Sequence, residues 1–192
     1  MSTAVAKKLM TAEEFFEYCH LPENAARNLE LVQGEVEEMP RPGVRHGVVC
    51  NNGAYIFGGY TRRIRRGYSC ANDTGLIIGR EPDTVRGPDV FLYLDSKPYG
   101  ELEVRYSEKL PDLLLEVLSP TDRLGQVIKR IQKFLEQGVQ MVWLADPESC
   151  NITVFRPNAA PVVYDKDQEL AGFDLLPDFR CPVSEFFFVP GA

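Results

Sequence analysis

Apolar and polar positions fall along this chain in short blocks that can be read one element at a time, and the densest block is central. Residues 110–122, LPDLLLEVLSPTD, carry the apolar run Leu113, Leu114, Leu115, Val117 and Leu118 and stop at Ser119-Pro120. A short continuous apolar run bounded by turn signals predicts a strand buried on both faces, as in a sheet covered by helices. Leu124, Val127, Ile128, Ile131, Phe134 and Leu135 then recur at helical spacing, with Gly138 as a stop signal; this is the strongest helix pattern in the chain. Met141 to Ala145 return as a second buried strand ending at Asp146-Pro147, and 152–155 continue as its hairpin partner. Strand, helix, strand predicts a right-handed parallel crossover.

The patterns upstream are more local. Thr11 with Glu14 three residues on is a capping box that opens a helix through Phe15, Phe16 and Tyr18,. Residues 29–32 and 35–39 alternate in polarity around Gln33-Gly34, a two-residue connection with Gly where a positive φ is needed, which predicts a hairpin,. Pro40-Arg41-Pro42-Gly43 breaks the chain before a helix over 44–63, with His46 near its start. The glycines at 47, 53, 58 and 59 work against that helix, each by up to about 1 kcal/mol relative to Ala. Residues 76–78 and 89–94 read as strands separated by a turn over 79–88, and 97–109 as a polar loop,. The Pro- and Phe-rich tail over 170–188 reads as an edge segment.

Composition adds limits. A chain of 192 residues without repeat or linker is expected to form a single domain, 1–192, with its own core,. Hydrophobic content of 44% and charged content of 26% describe a globular protein rather than a disordered one,. The start has two lysines but no apolar leader core, and no apolar run approaches the roughly 20 residues needed to span a bilayer, so a cytoplasmic protein without membrane contact is expected. Cys19, Cys50, Cys70, Cys150 and Cys181 are odd in number and scattered, with no CxxC pair and only His20 beside Cys19. That argues against a disulfide framework and a structural zinc site. A net charge of -7 excludes a protein that grips nucleic acid over its whole surface; any such contact is local,. Arg62, Arg63, Arg65 and Arg66 form the one basic cluster, and two readings of it stay open: a solvated helix end suited to the C-terminal dipole, or a phosphate contact,.

Two acids carry the candidate chemistry. Glu116 lies inside the central apolar run, where a carboxylate costs several kcal/mol unless a metal, a cation or hydrogen-bond donors compensate it. The plain alternative is a structural ion pair with an arginine. Asp89 follows Pro88 at the start of another strand. Adjacent strands lie about 4.8 Å apart, so carboxylates on one face of neighbouring strands can share a divalent cation. Oxygen ligands without His or Cys select Mg²⁺ or Mn²⁺ over zinc.

Five segments then occur in order: Glu30-Leu31-Val32-Gln33-Gly34-Glu35; Pro40-x-Pro42 followed by His46; Gly87-Pro88-Asp89-Val90; Leu115-Glu116-Val117-Leu118-Ser119-Pro120; and Gly138-Val139 leading to Val142-Trp143-Leu144-Ala145-Asp146-Pro147. Together, over residues 11–147, they resemble a large bacterial family of uncharacterised restriction endonucleases in the PD-(D/E)XK nuclease superfamily. The resemblance implies an α/β fold with a restriction-endonuclease-like core, a mixed central sheet flanked by helices, plus the N-terminal hairpin. It implies Asp89 and Glu116 as ligands of Mg²⁺ or Mn²⁺, Glu30 as an accessory acid, DNA as substrate and a homodimer. His46 matches a recurrent histidine of the family, and a helix-start histidine satisfied by local hydrogen bonds is an equal reading.

The superfamily motif places a lysine two residues after the glutamate, where this chain has Leu118. In the resembled family that lysine sits on the following helix, four residues before an aromatic, and the matching position is Arg130, four before Phe134. Helix geometry agrees: at roughly 100° per residue the apolar stripe centres near Ile131, Arg130 borders it, and Lys129 and Lys133 point to solvent. Arginine keeps a charge able to stabilise a phosphoryl transition state but does not readily give up a proton. The expected function is a metal-dependent endonuclease hydrolysing phosphodiester bonds in DNA. The alternative is a catalytically inactive nuclease-fold module, in which Arg130 only neutralises Glu116, that binds nucleic acid or a protein partner.

Overall fold

A computed structural model describes residues 9–191, and all statements below concern these residues; the leaderless start expected at the N-terminus lies outside them. In chain order the elements are α1 (Ala12–Cys19), β1 (Leu29–Val32), β2 (Glu35–Glu38), α2 (Val44–Ile64), β3 (Tyr68–Ala71), β4 (Leu76–Gly79), β5 (Thr84–Arg86), β6 (Val90–Tyr93), β7 (Leu113–Val117), α3 (Leu124–Glu136), β8 (Met141–Asp146), β9 (Asn151–Phe155), β10 (Val162–Tyr164), β11 (Glu169–Ala171) and β12 (Arg180–Pro182). They fall into two compact units. The first holds described residues 9–41, 75–87 and 103–109, and the second holds 42–74, 88–102 and 110–191.

In the first unit, α1 opens as predicted. The Glu14 N–H donates to Thr11 Oγ1 at 3.2 Å and the Thr11 N–H donates back to Glu14 Oε2 at 3.0 Å, so two helix-end donors are satisfied reciprocally,. The β1–β2 hairpin turns through Gln33 and Gly34 with φ of 50° and 77°, the two left-handed positions that match the twist of the strands,. The sheet order is β2-β1-β5-β4, and Phe15, Leu31, Ile77 and Val85 bury together beneath it. Strand β5 lies within 79–88, where only a turn was expected. Three residues are too short to display a period of two.

The second unit is built on a six-stranded mixed sheet in the order β10-β9-β8-β7-β6-β3. Only β7 and β8 run parallel, from Leu113 opposite Met141 to Val117 opposite Ala145, with α3 as their connection. Helix α2 buries Val49, Phe57 and Tyr60 against Val90, Leu92, Leu115 and Trp143. Gly53 makes this docking close: a Cβ there would stand 2.2 Å from Leu115 Cδ2. The residue that weakened the helix pattern is therefore what lets the helix approach the sheet. Strand alternation turns Leu114 and Glu116 to the opposite face, where Arg130 of α3 meets Glu116. Val127, Ile131 and Phe134 are the buried stripe of α3, as its periodicity predicts.

The tail corrects the sequence reading. Strands β11 and β12 pair as a two-stranded sheet of their own, and Leu170, Leu176, Phe179, Val183 and Phe186 join Trp143 in the α2-side core. Their spacing follows short turns, so neither the period of a strand nor that of a helix reveals that they point inward. The edges of the main sheet are instead β10 and β3, both short. No helix among the described residues is long and apolar enough to cross a membrane.

Candidate active site

The two acids come from neighbouring strands, and their carboxylates engage different helices. Strands β6 and β7 are antiparallel with Val90 opposite Leu115; Asp89 directly precedes β6 and Glu116 lies within β7. Glu116 is only 3% exposed, and its charge is met by Arg130, whose Nη2 donates to Oε2 at 2.6 Å. Arg130 reaches it from the border of the buried stripe of α3, while Lys129 is exposed. Leu118, in the lysine position of the superfamily motif, uses its N–H to continue the pairing with the Ala145 carbonyl at 2.9 Å; its side chain offers no donor.

Asp89 lies just before β6 and turns to α2. The Val117 N–H donates to Asp89 Oδ2 at 2.7 Å, and His46 Nε2 stands 3.3 Å from Asp89 Oδ1. One helical turn along α2, Cys50 places its Sγ 3.3 Å from the other ring nitrogen, His46 Nδ1. One ligand atom from each of His46, Cys50 and Asp89 lies within 4.8 Å of the others. Burial pulls the His46 pKa down, but the adjacent Asp89 carboxylate outweighs it and leaves the imidazole above its ordinary value,. Burial pushes the Cys50 thiol far up, and the charge of Asp89 adds to it,. The expectation that no cysteine but Cys19 has a histidine at hand is thus overturned. His46 and Cys50 are four apart on a helix and share a face; that spacing stood in the sequence, hidden by the glycines that diluted the helix pattern.

Glu30 is 6% exposed on β1 in the first unit. It pairs with the Arg86 guanidinium and accepts the Gly87 N–H at 3.1 Å, so its charge is compensated inside that unit. The four arginines divide between the two readings left open. Arg65 is the left-handed cap of α2, with φ of 53°, and Arg63 donates to the Asp178 carbonyl and lies over the Tyr60 ring, both helix-end roles. Arg62, Arg65 and Arg66 also line a cavity of about 390 Å³ together with Ser96 and Lys97.

The mixed sheet of the second unit, flanked by α2 and α3 and carrying a buried acid on a central strand, has a nuclease-type fold. A crystal structure described as a putative nuclease belonging to DUF820 from Anabaena variabilis superposes with a TM-score of 0.76, covering 93% of this chain and 97% of that one at 22% identity. The family model described as "Uma2: Putative restriction endonuclease" matches residues 12–184, and the chain belongs to that family. No curated protein matches it.

Proposed function

We propose that this chain is a metal-dependent endonuclease that hydrolyses phosphodiester bonds in DNA, working in the cytoplasm as a homodimer. The observation that supports the reading is Glu116 buried in β7 beside β6, which Asp89 directly precedes, in a chain of the restriction-endonuclease family. Carboxylates on neighbouring strands suit a hard divalent cation, and Glu116 is desolvated enough to require positive charge beside it,. Mg²⁺ or Mn²⁺ held by Asp89 and Glu116 supplies Lewis-acid polarisation of the phosphate and a more acidic bound water. The chain's own groups do the rest. The Val117 N–H and His46 orient the Asp89 carboxylate. Arg130 balances Glu116 and, as a permanent cation, offsets charge developing on the phosphate; it does not serve as a base,. Glu30, paired to Arg86, is read as an accessory acid.

The test is cleavage of plasmid and single-stranded DNA with Mg²⁺ or Mn²⁺, beside Glu116→Ala and beside EDTA. Cleavage lost in both controls is the expected result. Cleavage that survives Glu116→Ala overturns the assignment.

A second reading, an inactive nuclease-fold module that binds nucleic acid or a protein, is favoured by the closed Glu116–Arg130 ion pair and by Leu118 in the place of lysine. Its nucleic-acid form makes the cavity lined by Arg62, Arg65 and Arg66 the phosphate-binding surface. Neutralising these three should then weaken metal-independent DNA binding and flatten its salt dependence by about 0.9 in log–log slope for each phosphate no longer neutralised. Unchanged affinity and slope would remove that form.

A further inference from the structure

We propose that His46, Cys50 and Asp89 form a metal site of a second kind, which takes a borderline divalent transition metal of the zinc class through an imidazole, a thiolate and a carboxylate. Among the described residues no other group of three or more His, Cys, Asp or Glu side chains stands close enough to share one ion. Zinc holds sulfur at about 2.3 Å, nitrogen at about 2.0–2.1 Å and carboxylate oxygen at about 2.0–2.2 Å, so the ligands of a tetrahedral ion stand roughly 3.4–3.6 Å apart. His46 Nε2 and Asp89 Oδ1 are already 3.3 Å apart, Cys50 Sγ stands 3.3 Å from the other ring nitrogen, and one ligand atom from each residue lies within 4.8 Å of the others. Closing the set asks for a side-chain rotation that brings the sulfur and the carboxylate to the same ring nitrogen.

Rigid elements hold the set. His46 and Cys50 project from the same face of α2, Gly53 lets that helix lie close on β7, and the Val117 N–H holds the second Asp89 oxygen. Such support for ligand rotamers is what a metal site requires. Charge agrees as well: a thiolate, a carboxylate and a neutral imidazole sum to minus two, so a divalent ion leaves this mostly buried site neutral. A bound cation displaces the thiol proton, since the thiolate is the form that ligates metal. Magnesium favours near-octahedral oxygen ligation and has little affinity for a thiol, so the same three residues discriminate against it.

Asp89 belongs to both donor sets. On the nuclease reading above, on which this last step rests, a zinc-class ion at His46, Cys50 and Asp89 withdraws the carboxylate from the Mg²⁺ pair and stops cleavage. The site is thus an inhibitory metal sensor built onto the catalytic acid.

Co²⁺ is the probe. Titration of the whole chain should show one equivalent bound with the near-ultraviolet absorption of a thiolate on cobalt, which Zn²⁺ abolishes and excess Mg²⁺ does not. Loss of an outer partner alone weakens metal binding about 10–100-fold, so Cys50→Ser, a direct ligand, should lower Zn²⁺ affinity by more than about 100-fold and remove the sulfur absorption. Cys150→Ser should change neither, and circular dichroism reports whether each variant folds. Asp89→Asn supplies an independent variant: the sulfur absorption stays while affinity falls. No thiolate absorption with Co²⁺, or absorption that persists in Cys50→Ser, overturns the site. These readings need no DNA, so a chain that binds Co²⁺ through Cys50 yet cuts nothing with Mg²⁺ keeps this site and loses the nuclease reading. Full cleavage with the cobalt or zinc site filled removes the inhibitory role.

Discussion

Asp83 in the first unit and Asp89 in the second are buried to nearly the same degree, with side chains 10% and 15% exposed, yet their surroundings differ in kind. Asp83 accepts from the Ala12 N–H at 2.7 Å, from Arg80 at 2.6 Å and from the Glu81 N–H at 3.3 Å. Every one of those donors is permanent, and together they tie the start of α1 to the β4–β5 turn. Asp89 has one permanent donor, the Val117 N–H; its other neighbours are an imidazole and a thiol. Those two groups become metal ligands when they give up protons. Burial alone therefore does not distinguish a structural acid from a functional one. The difference is whether its partners can exchange a proton for a metal.

The largest effect that can break this division falls on Glu116, which pairs with Arg130, a partner of the permanent kind, in a candidate metal site. Arg130→Met leaves a carboxylate that is 4% exposed without its guanidinium. Removing one member of a buried ion pair costs about 3–5 kcal/mol, and partial exposure of Arg130 argues for the lower end, about 3 kcal/mol, in urea unfolding at neutral pH. If Glu116 is a metal ligand, Mg²⁺ or Mn²⁺ should restore much of that loss, because the cation replaces the guanidinium. Restoration that is no greater than in the unsubstituted protein would place Glu116 with Asp83, as a structural acid.

The next effect compares the two aspartates directly. Asp83→Ala strands the Ala12 N–H at the first turn of α1 and should cost about 1–3 kcal/mol, the range for a buried donor left unsatisfied,. Asp89→Asn keeps an oxygen for the Val117 N–H and should cost less than about 1 kcal/mol,. Thermal or urea unfolding of both variants without metal decides it, and the reverse order would overturn the distinction between the two sites.

How much of this could be read beforehand follows from the range of each interaction. The capping box of Thr11, the Gln33-Gly34 turn, the α3 stripe and the β7–α3–β8 unit declare themselves within a few residues, and all stand where their local patterns put them. Arg130 was the position that the family resemblance implied, and helix geometry agreed in pointing it, rather than Lys129, inward. Three things were hidden. Strand β5 is too short to carry a period, and the tail residues Leu176, Phe179 and Phe186 are buried by turns whose spacing matches no regular element. The partners of Glu30, Arg86 and the Gly87 N–H, lie far away along the chain and meet it only when β5 pairs with β1. Cys50 was half legible: its spacing from His46 is local, but the approach of Asp89 to that helix face depends on α2 docking over Gly53.

The smallest effect concerns acid. Burial alone would raise the Asp83 pKa, but the Ala12 N–H and the Arg80 guanidinium outweigh it and hold the carboxyl below its ordinary 3.8. An acid whose pKa is depressed by folding adds stability that is complete above its unfolded value and is lost as pH falls through its folded value. The stability gap between the unsubstituted protein and Asp83→Ala should therefore be constant near neutral pH and narrow progressively below about pH 5, where the unfolded carboxyl begins to take up its proton,. Glu13, which Arg80 holds down to about 2, titrates in the same acid range, but its exposure makes its own contribution small,. Urea unfolding of both proteins across that range measures the gap. A gap that stays constant or widens as pH falls would mean that the Arg80 and Ala12 contacts do not hold Asp83 ionised, and the contrast with Asp89 would lose its structural half.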